Sequence, residues 1–431
     1  MHVYFSGIGG AGIGPLAEIA LQAGFEVSGS DKQETAYIKH LKSAGINRIY
    51  IDQSYDQISK VHAEHPVDWL VYSSALPMEQ PNAPEIRFAK ENGIKESKRD
   101  ELINYIAQEK KLSLVAVAGT HGKTTTTAMI VWLSYQHQVP ISYLLPAKTS
   151  FGPMGRYLNG SQYLVIEADE FDRNFLSFNP WLSVISGVSW DHHEIFPTRE
   201  SYQQAFKEFI GQSQQALIWQ DDAAYLGVSE SKNLQIQNTS HPMIAKLKLK
   251  GLYNRLDGWL ALQALLRMTD DPVEQLIGSL NLFPGLSRRM EQIVPGLYSD
   301  YAHTPEKIKG AMSVAREMAA ANGQSIIVIY EPLTNRRQHF MINDYDDSFS
   351  GAAQVYWLPS YLAREDPNLR ILPPSELISR LRDPTIALPA ERNADLKRTI
   401  DAHLEKGDMV VAMAGGGGDS LDDWLRENYF V

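Results

Sequence analysis

Residues 112–125 read Leu-Ser-Leu-Val-Ala-Val-Ala-Gly-Thr-His-Gly-Lys-Thr-Thr, and this stretch decides the fold. An apolar run typical of a buried strand ends at Ala118, and a helix-like stretch follows the glycine-rich loop. Backbone N–H groups in such a loop surround phosphate oxygens, a lysine neutralises the β- and γ-phosphates, and the next hydroxyl binds magnesium. The pattern predicts an ATP site, although Val117 stands where the general P-loop has its first glycine. Its predicted members are Gly119, Thr120, His121, Gly122, Lys123, Thr124 and Thr125.

A second glycine loop lies near the N-terminus. It follows the strand-like run His2 to Ser6, precedes a helix-like stretch, and contains Gly7, Gly9, Gly10 and Gly12. Asp31 closes the next strand-like run, within reach of a ribose in the dinucleotide-type arrangement. Taken alone, this loop leaves open a structural glycine turn, a nicotinamide cofactor or another nucleotide.

Apolar runs alternate with amphipathic stretches along the whole chain, which is typical of parallel α/β sheets. A length of 431 residues suggests roughly three domains. The polar stretch before residue 111 and the Phe283-Pro284-Gly285 turn mark the boundaries. The predicted fold is α/β with three domains: a Rossmann-like domain at 1–110, a central P-loop-type ATPase sheet at 111–284, and a second Rossmann-like domain at 285–431.

Composition narrows the class of function. The formal charge of −11, without a long basic run, disfavours nucleic-acid binding. No apolar run reaches the roughly 18 residues that span a bilayer, and the N-terminus lacks the pattern of a secretory signal, so we expect a cytoplasmic protein without a membrane partner. There is no cysteine, so any metal must be held by oxygen or imidazole.

Several further motifs occur in a fixed order along the chain, and together with both glycine loops they resemble the Mur ligase family. They are Ser73-Ser74-Ala75, Glu167-Ala168-Asp169-Glu170, Asp191-His192, Arg288-Arg289-Met290-Glu291 and Asp300-Tyr301-Ala302-His303-Thr304-Pro305. The resemblance implies an ATP-dependent ligase of peptidoglycan precursor synthesis. Such a ligase phosphorylates the lactyl carboxylate of UDP-N-acetylmuramate and then lets an amine attack the acyl phosphate.

The resemblance also implies roles for individual residues. Lys123, His192 and His303 would be catalytic, and magnesium or manganese would be held by Thr124, Glu167 and His192. Further ATP contacts would come from Asn254, Arg289 and Asp300. The UDP-sugar would bind the first glycine loop with Asp31, Ser73 and Ser74. His193 has no counterpart in the family motif, so we expect an exposed loop residue there.

The amine substrate is less settled, because the chain is similar to two branches of the family. The first glycine loop, Val27 to Asp31 and Tyr72 to Ala75 are most similar to the members that add L-alanine. Those members usually carry His and Arg after the proline of a later motif, where this chain has Leu333 and Thr334. The run Glu331 to Asn335 instead resembles the recycling members, which attach a ready-made tripeptide. Arg336 and Arg337 are the nearest cations that could bind the amine substrate.

Two alternatives belong to other classes. A nucleotide-binding scaffold that has lost ligation is disfavoured by the intact Gly122-Lys123-Thr124, Glu167 and His192. A nicotinamide dehydrogenase is disfavoured by the second phosphate loop. Tyr253 and Asp257 stand where the family usually has histidine and asparagine, so the adenine contacts are expected to differ.

Overall fold

The computed structural model describes residues 1–192, 195–362, 365–366, 368–416 and 418–429. The predicted α/β fold class is confirmed, because these residues form three sheets of mostly parallel strands. The central strands of each sheet are buried on both faces, as is typical of parallel sheets. No helix in the described ranges is long and apolar enough to cross a membrane.

The first sheet has five parallel strands, β1 (His2–Ser6), β2 (Glu26–Ser30), β3 (Ile49–Tyr50), β4 (Trp69–Tyr72) and β5 (Lys95–Lys98). Their order is β3-β2-β1-β4-β5, so the direction of winding reverses between β1 and β4. Ligands of open parallel sheets bind at the carboxyl ends of the strands, where the winding reverses. The helices are α1 (Gly14–Gln22), α2 (Ala36–Ser43), α3 (Tyr55–Glu64), α4 (Ala75–Glu79), α5 (Pro84–Glu91) and α6 (Arg99–Glu109).

The second sheet has seven strands, β6 (Ser113–Ala118), β7 (Ile141–Leu144), β8 (Gly155–Arg156), β9 (Tyr163–Glu167), β10 (Leu182–Ile185), β11 (Gln215–Trp219) and β12 (Leu234–Gln237). The order β12-β11-β10-β6-β9-β7-β8 makes β10, β6 and β9 neighbours, so the loops that follow these three strands lie side by side. The helices are α7 (Lys123–Gln136), α8 (Arg199–Gln212), α9 (Gln220–Leu226), α10 (Leu252–Leu265) and α11 (Val273–Leu280), with 3₁₀ turns at Phe171–Ser177 and Pro242–Lys246.

The third sheet has six strands, β13 (Glu291–Val294), β14 (Leu297–Asp300), β15 (Ile326–Glu331), β16 (Gln354–Trp357), β17 (Ala387–Pro389) and β18 (Met409–Ala414). Their order is β13-β14-β18-β15-β16-β17, and only the β13–β14 pair is antiparallel. The helices are α12 (Pro305–Asn322), α13 (Asn335–Met341), α14 (Pro374–Ile378), α15 (Ala394–Glu405) and α16 (Leu421–Tyr429), with a 3₁₀ turn at Pro384–Ile386.

The three sheets are divided between two compact units. The first unit consists of Met1–Leu247 with Leu256–Phe283 and contains the first two sheets. The second consists of Lys248–Arg255 with Pro284–Val431 and contains the third. The division into three domains at residues 110 and 284 stays a prediction.

Trp357 anchors the core of the second unit. Its ring centroid lies 4.9 Å from that of Tyr330, 5.1 Å from Tyr345 and 5.4 Å from Phe349. We expect Trp357→Ala to lower the free energy of unfolding by about 3–5 kcal/mol, as large core truncations do. Trp357→Phe should cost less, because the indole N–H has no hydrogen-bond partner in the described part of the chain. Denaturant unfolding of the full chain measures both variants, and an unchanged midpoint for Trp357→Ala would contradict this account of the core.

Candidate active site

Two glycines shape the loop between β6 and α7. Gly119 has φ +148° and Gly122 has φ +78°, both in the region that favours glycine. A methyl group on Gly119 would lie 2.5 Å from Oγ of Ser186, and one on Gly122 would lie 2.5 Å from Oδ1 of Asp257. The helix then begins at Lys123, so its free N–H groups and positive dipole end face the loop. This geometry fits a phosphate group.

Lys123 contacts both the glycine loop and the segment that follows β9. Its Nζ donates to the carbonyl oxygen of Gly119 at 2.6 Å and to Oε2 of Glu170 at 2.6 Å. Burial would lower the pKa of the ammonium group, but Glu170, with Asp169 and Glu167, raises it above its usual range. Lys123 is therefore charged when no nucleotide is bound.

Glu170, to which the sequence assigned no role, contacts two of the predicted catalytic residues, Lys123 and His192. Its side chain is fully buried, and Oε1 lies 3.5 Å from Nε2 of His192. Burial would raise the pKa of this carboxylate, but Lys123 and then His192 hold it well below its usual range. The only sequence signal was its place beside Glu167 in the Glu-Ala-Asp-Glu motif.

Thr124 and Glu167 form an oxygen pair beside Lys123. The Thr124 hydroxyl donates to Oε2 of Glu167 at 2.8 Å. Two hard oxygen donors suit magnesium or manganese, so these residues fit the predicted metal. His192, the third predicted ligand, is held against Glu170 and the ring of Phe171. The described residues contain no preformed group of three or more His, Asp or Glu side chains that could hold a metal. His193 lies outside the described residues.

The remaining residues of the phosphate loop are held by long-range contacts. The Thr120 hydroxyl is 2.7 Å from the Tyr202 hydroxyl and accepts the Ser189 N–H at 2.9 Å. The Ser186 hydroxyl donates to the His121 carbonyl at 2.5 Å. Gly187 leaves the space that the His121 ring fills, because a methyl group there would overlap the ring. Thr125 is buried in the first turn of α7. These contacts hold the loop in shape.

The first glycine loop closes on Asp31. Gly7 has φ +77°, and the Gly9 N–H donates to Oδ2 of Asp31 at 2.8 Å. The Gly10 N–H donates to the Gly7 carbonyl at 3.0 Å, which turns the chain into α1. A methyl group on Gly12 would overlap the guanidinium of Arg99. Asp31 and the loop thus lie together at the carboxyl edge of the first sheet.

The serines after β4 lie at the same edge. Ser73 precedes α4, and its carbonyl accepts the N–H of Leu76 at 3.1 Å. Ser74 is buried, and its hydroxyl exchanges hydrogen bonds with the side-chain amide of Asn174 at 2.8 and 3.1 Å. Ser74 therefore has a protein partner.

Asp300 organises the first loop of the second unit. Its carboxylate accepts the N–H groups of Met290 and Ala302, each at 2.9 Å. Burial raises the pKa of Asp300, against the opposing effect of Arg289. The Arg289 guanidinium lies 5.1 Å from the centroid of the Tyr301 ring. Asp300 therefore holds the turn at Met290, which has a positive φ of 47°.

His303 and Arg337 meet at the carboxyl edge of the third sheet. Nη1 of Arg337 lies 3.3 Å from Nε2 of His303, whose Nδ1 lies 2.8 Å from the Tyr301 carbonyl. The backbone N–H of Arg336 donates to Glu365 at 3.1 Å. Close by, buried Glu331 lies 3.4 Å from Nε of Arg392, a cation that the sequence did not single out.

Asn254 belongs to the second unit, where its side-chain amide donates to the Lys250 carbonyl at 2.7 Å. Asp257 belongs to the first unit and is buried against Gly122. Most of the predicted site residues thus form three groups: the glycine loop before α7 with Glu167 and His192, the first glycine loop with Asp31, and Arg289, Asp300, His303 and Arg337. The function of each group stays a prediction.

Known proteins match this chain over most of its length. The Mur ligase family, catalytic domain, matches residues 2–111, and the Mur ligase middle domain matches residues 117–258. A UDP-N-acetylmuramate–L-alanine ligase from Campylobacter jejuni subsp. doylei is 31% identical over 394 residues, which cover 85% of this chain and 87% of the relative. The protein of that name from Clostridium novyi is 28% identical over 450 residues, covering 96% and 94%.

Solved structures share the fold. The UDP-N-acetylmuramate-alanine ligase of Thermotoga maritima superposes with a TM-score of 0.74 at 21% identity, covering 97% of this chain and 96% of the other. A murein peptide ligase from Psychrobacter arcticus gives a TM-score of 0.63 at 20% identity, with the same coverage. The resemblance expected from the sequence is confirmed.

The buried Lys123–Glu170 pair leads to a stability prediction. Without nucleotide, Lys123→Met should lower the free energy of unfolding by about 3–5 kcal/mol, because it leaves a buried carboxylate without its cation. The double variant Lys123→Met/Glu170→Gln removes both charges and should recover part of that loss. Denaturant unfolding at pH 7 compares the two, and a single variant as stable as the wild type would contradict the pairing.

The pair also predicts a pH dependence. Because folding lowers the pKa of Glu170, its stabilising contribution is complete above the unfolded carboxyl value of about 4.3. That contribution is lost as the pH falls through the folded value. The difference in stability between the wild type and the double variant should therefore shrink on acidification.

Proposed function

The chain belongs to the Mur ligase family, and from this we propose that it joins the lactyl carboxylate of UDP-N-acetylmuramate to L-alanine at the expense of ATP. The product is an amide, formed through an acyl phosphate during peptidoglycan precursor synthesis in the cytoplasm. One observation carries the proposal. In a chain whose relatives bear the name of this reaction, Lys123 and Thr124 follow a phosphate-shaped loop and contact Glu170 and Glu167.

Activation of the carboxylate is the first step. A free carboxylate is a poor electrophile, so a carboxylate oxygen attacks the γ-phosphorus and ADP leaves. Negative charges converge along this path and need preorganised positive groups. Lys123 supplies one, since its raised pKa keeps it charged at the start of α7. The loop N–H groups and the dipole of α7 supply others.

A divalent metal is the second proposed source of positive charge. Thr124 and Glu167 would hold magnesium, or manganese, through their oxygens, which are 2.8 Å apart. When bound, the ion would neutralise charge on the ATP phosphates. We propose that His192, which lies beside Glu170 in the loop that follows β10, binds a second metal near the acyl phosphate. Glu170 keeps the imidazole in place.

Amide formation is the second step. The amine nitrogen attacks the acyl carbon, phosphate leaves with the former carboxylate oxygen, and the nitrogen loses a proton. We propose that residues of the second unit bind this amine substrate. Arg337 presents a fork of donors suited to a carboxylate and lies against His303. Arg336 is the second proposed cation, and Asn254, Arg289 and Asp300 are the proposed ATP contacts of the same unit.

The first sheet is the proposed site of the sugar nucleotide. Its glycine loop, Asp31 and Ser73 lie at the edge where the strand order reverses. The pyrophosphate would bind the loop N–H groups before α1, and Asp31 is placed for a ribose. Residues 1–110 would then form the sugar-nucleotide domain, 111–284 the ATP domain and 285–431 the amine domain.

A tripeptide is the second candidate amine. The run Glu331-Pro332-Leu333-Thr334-Asn335, which resembles the recycling members, leads from β15 into α13 beside Arg337. Murein peptide ligases also share this fold. The recycling reaction uses the same sugar nucleotide and the same activation step, so only the choice of amine separates the two.

An amine panel tests the proposed function. We expect phosphate release to require UDP-N-acetylmuramate, ATP and a divalent metal together, and to be fastest with L-alanine among alanine, glycine, serine and the tripeptide. The amide product is identified by mass spectrometry. Turnover with the tripeptide alone would favour recycling, and phosphate release independent of any amine would contradict ligation.

Arg337 gives a sharper test of the amine site. Arg337→Ala should raise the Michaelis constant for the amine by about tenfold to a hundredfold, the effect of losing one charge-assisted hydrogen bond. The constants for ATP and the UDP-sugar should change little. The control is Arg398→Ala, since Arg398 is exposed and pairs only with Asp395 among its described neighbours. If Arg336→Ala and Arg337→Ala both leave every amine dependence unchanged, the assignment is wrong.

A further inference from the structure

Arg99 has no role in the function proposed above, although it lies at the edge of the first sheet where the sugar nucleotide would bind. It is the first residue of α6 and follows β5 directly, so it lies at the carboxyl edge of the first sheet. The glycine loop after β1 and the serines after β4 share that edge. A cation at the carboxyl edge of an open parallel sheet stands where such sheets bind their ligands.

The guanidinium of Arg99 faces the glycine loop itself. A methyl group on Gly12 would overlap Nη1 of Arg99, so the absence of a side chain at Gly12 is what lets the cation approach. Gly12 ends the loop just before α1, whose first residues are Gly14 and Pro15. A diphosphate bound to the loop would therefore meet the helix N-terminus and this guanidinium together.

Arg99 is only loosely paired within the protein. Its Nη2 lies 3.9 Å from Oδ2 of Asp169 and its Nε lies 3.6 Å from Oδ1 of Asp100, both beyond hydrogen-bond distance. Over the ranges that the structure describes, its five N–H donors make no direct hydrogen bond, although the side chain is only 20% exposed. The preceding residue differs, because Lys98 forms a close ion pair with Asp172.

An arginine so placed is expected to have an anionic partner. Guanidinium groups bind phosphates with two parallel hydrogen bonds, and leaving the donors of a mostly buried charge unused costs free energy. Asp169 and Asp100 are close enough to orient the side chain but too distant to occupy its donors.

We propose that Arg99 binds the diphosphate of the sugar nucleotide at the first glycine loop and that Asp169 positions it there. The proposal rests on the proposed function for the identity of the ligand, a uridine diphosphate sugar. It adds a direct link between two sites. Asp169 lies between Glu167, which contacts Thr124, and Glu170, which contacts Lys123. Arg99 thus joins the sugar-nucleotide loop to the segment that contacts the ATP loop.

Binding of UDP and of uridine to the full-length protein tests this role without any turnover. Arg99→Met should weaken UDP binding by about tenfold to a hundredfold, because a charge-assisted contact to phosphate is lost. Uridine, which has no phosphate, should bind the variant and the wild type equally. Arg99→Lys keeps the positive charge but lacks the paired N–H donors of the guanidinium, so its UDP affinity should lie between those of the wild type and Arg99→Met. An ATP affinity equal to that of the wild type shows that each variant is folded.

Two further variants make the test selective. Arg48→Met removes a partly exposed arginine that pairs with Glu26, the first residue of β2, and it should leave UDP affinity unchanged. Gly12→Ala should displace the Arg99 guanidinium, so it should weaken UDP binding more in the wild type than in the Arg99→Met background, where that guanidinium is already absent. If Arg99→Met and Arg99→Lys bind UDP like the wild type, Arg99 has only a structural role and the inference fails alone. A wild type that binds ATP but not UDP would overturn both this inference and the sugar-nucleotide assignment.

Discussion

The buried ion pair between Lys123 and Glu170 is the interaction on which the rest of the first unit's site depends. Two charges removed from water are tolerated only when each meets the other and their remaining atoms find partners. Lys123 also donates to Gly119, and Glu170 also approaches His192. The pair therefore joins the loops that follow β6, β9 and β10, three neighbouring strands of one sheet. Any group that binds the loop must share the Lys123 ammonium with Glu170.

The order of strands explains why distant motifs lie together. Lys123 and Glu170 are 47 residues apart, and Thr120 and Tyr202 are 82 residues apart, yet both pairs are in hydrogen-bond contact. Because parallel strands place their carboxyl ends at one edge, loops that are remote in sequence become neighbours. In the first sheet the same rule groups the glycine loop, Ser73 and Arg99, and in the third it groups Asp300, Glu331 and Gly415.

The local sequence pattern was enough to predict the strand at Ser113–Ala118, the glycine-rich turn before α7 and the α/β class, since each has its signal within a few residues. It did not suffice for Glu170 or Arg99, whose importance comes from contacts across the sheet. The sequence treated Arg336 and Arg337 as equals, whereas the structure separates them. Arg337 approaches His303, while the backbone of Arg336 is held by Glu365. Nor did the sequence show that the first two sheets form one compact unit.

The central claim is that the carboxylate of the sugar acid is activated by direct phosphorylation. Isotope transfer tests it most directly. The protein is incubated with ATP, magnesium, L-alanine and UDP-N-acetylmuramate labelled with ¹⁸O in both oxygens of the lactyl carboxylate. The released phosphate is then examined by mass spectrometry. An acyl phosphate transfers one carboxylate oxygen to each phosphate, so the phosphate should contain a single ¹⁸O and the amide should retain the other. Phosphate without label, formed at the rate of ATP consumption, would show that water attacks ATP instead and would contradict the account.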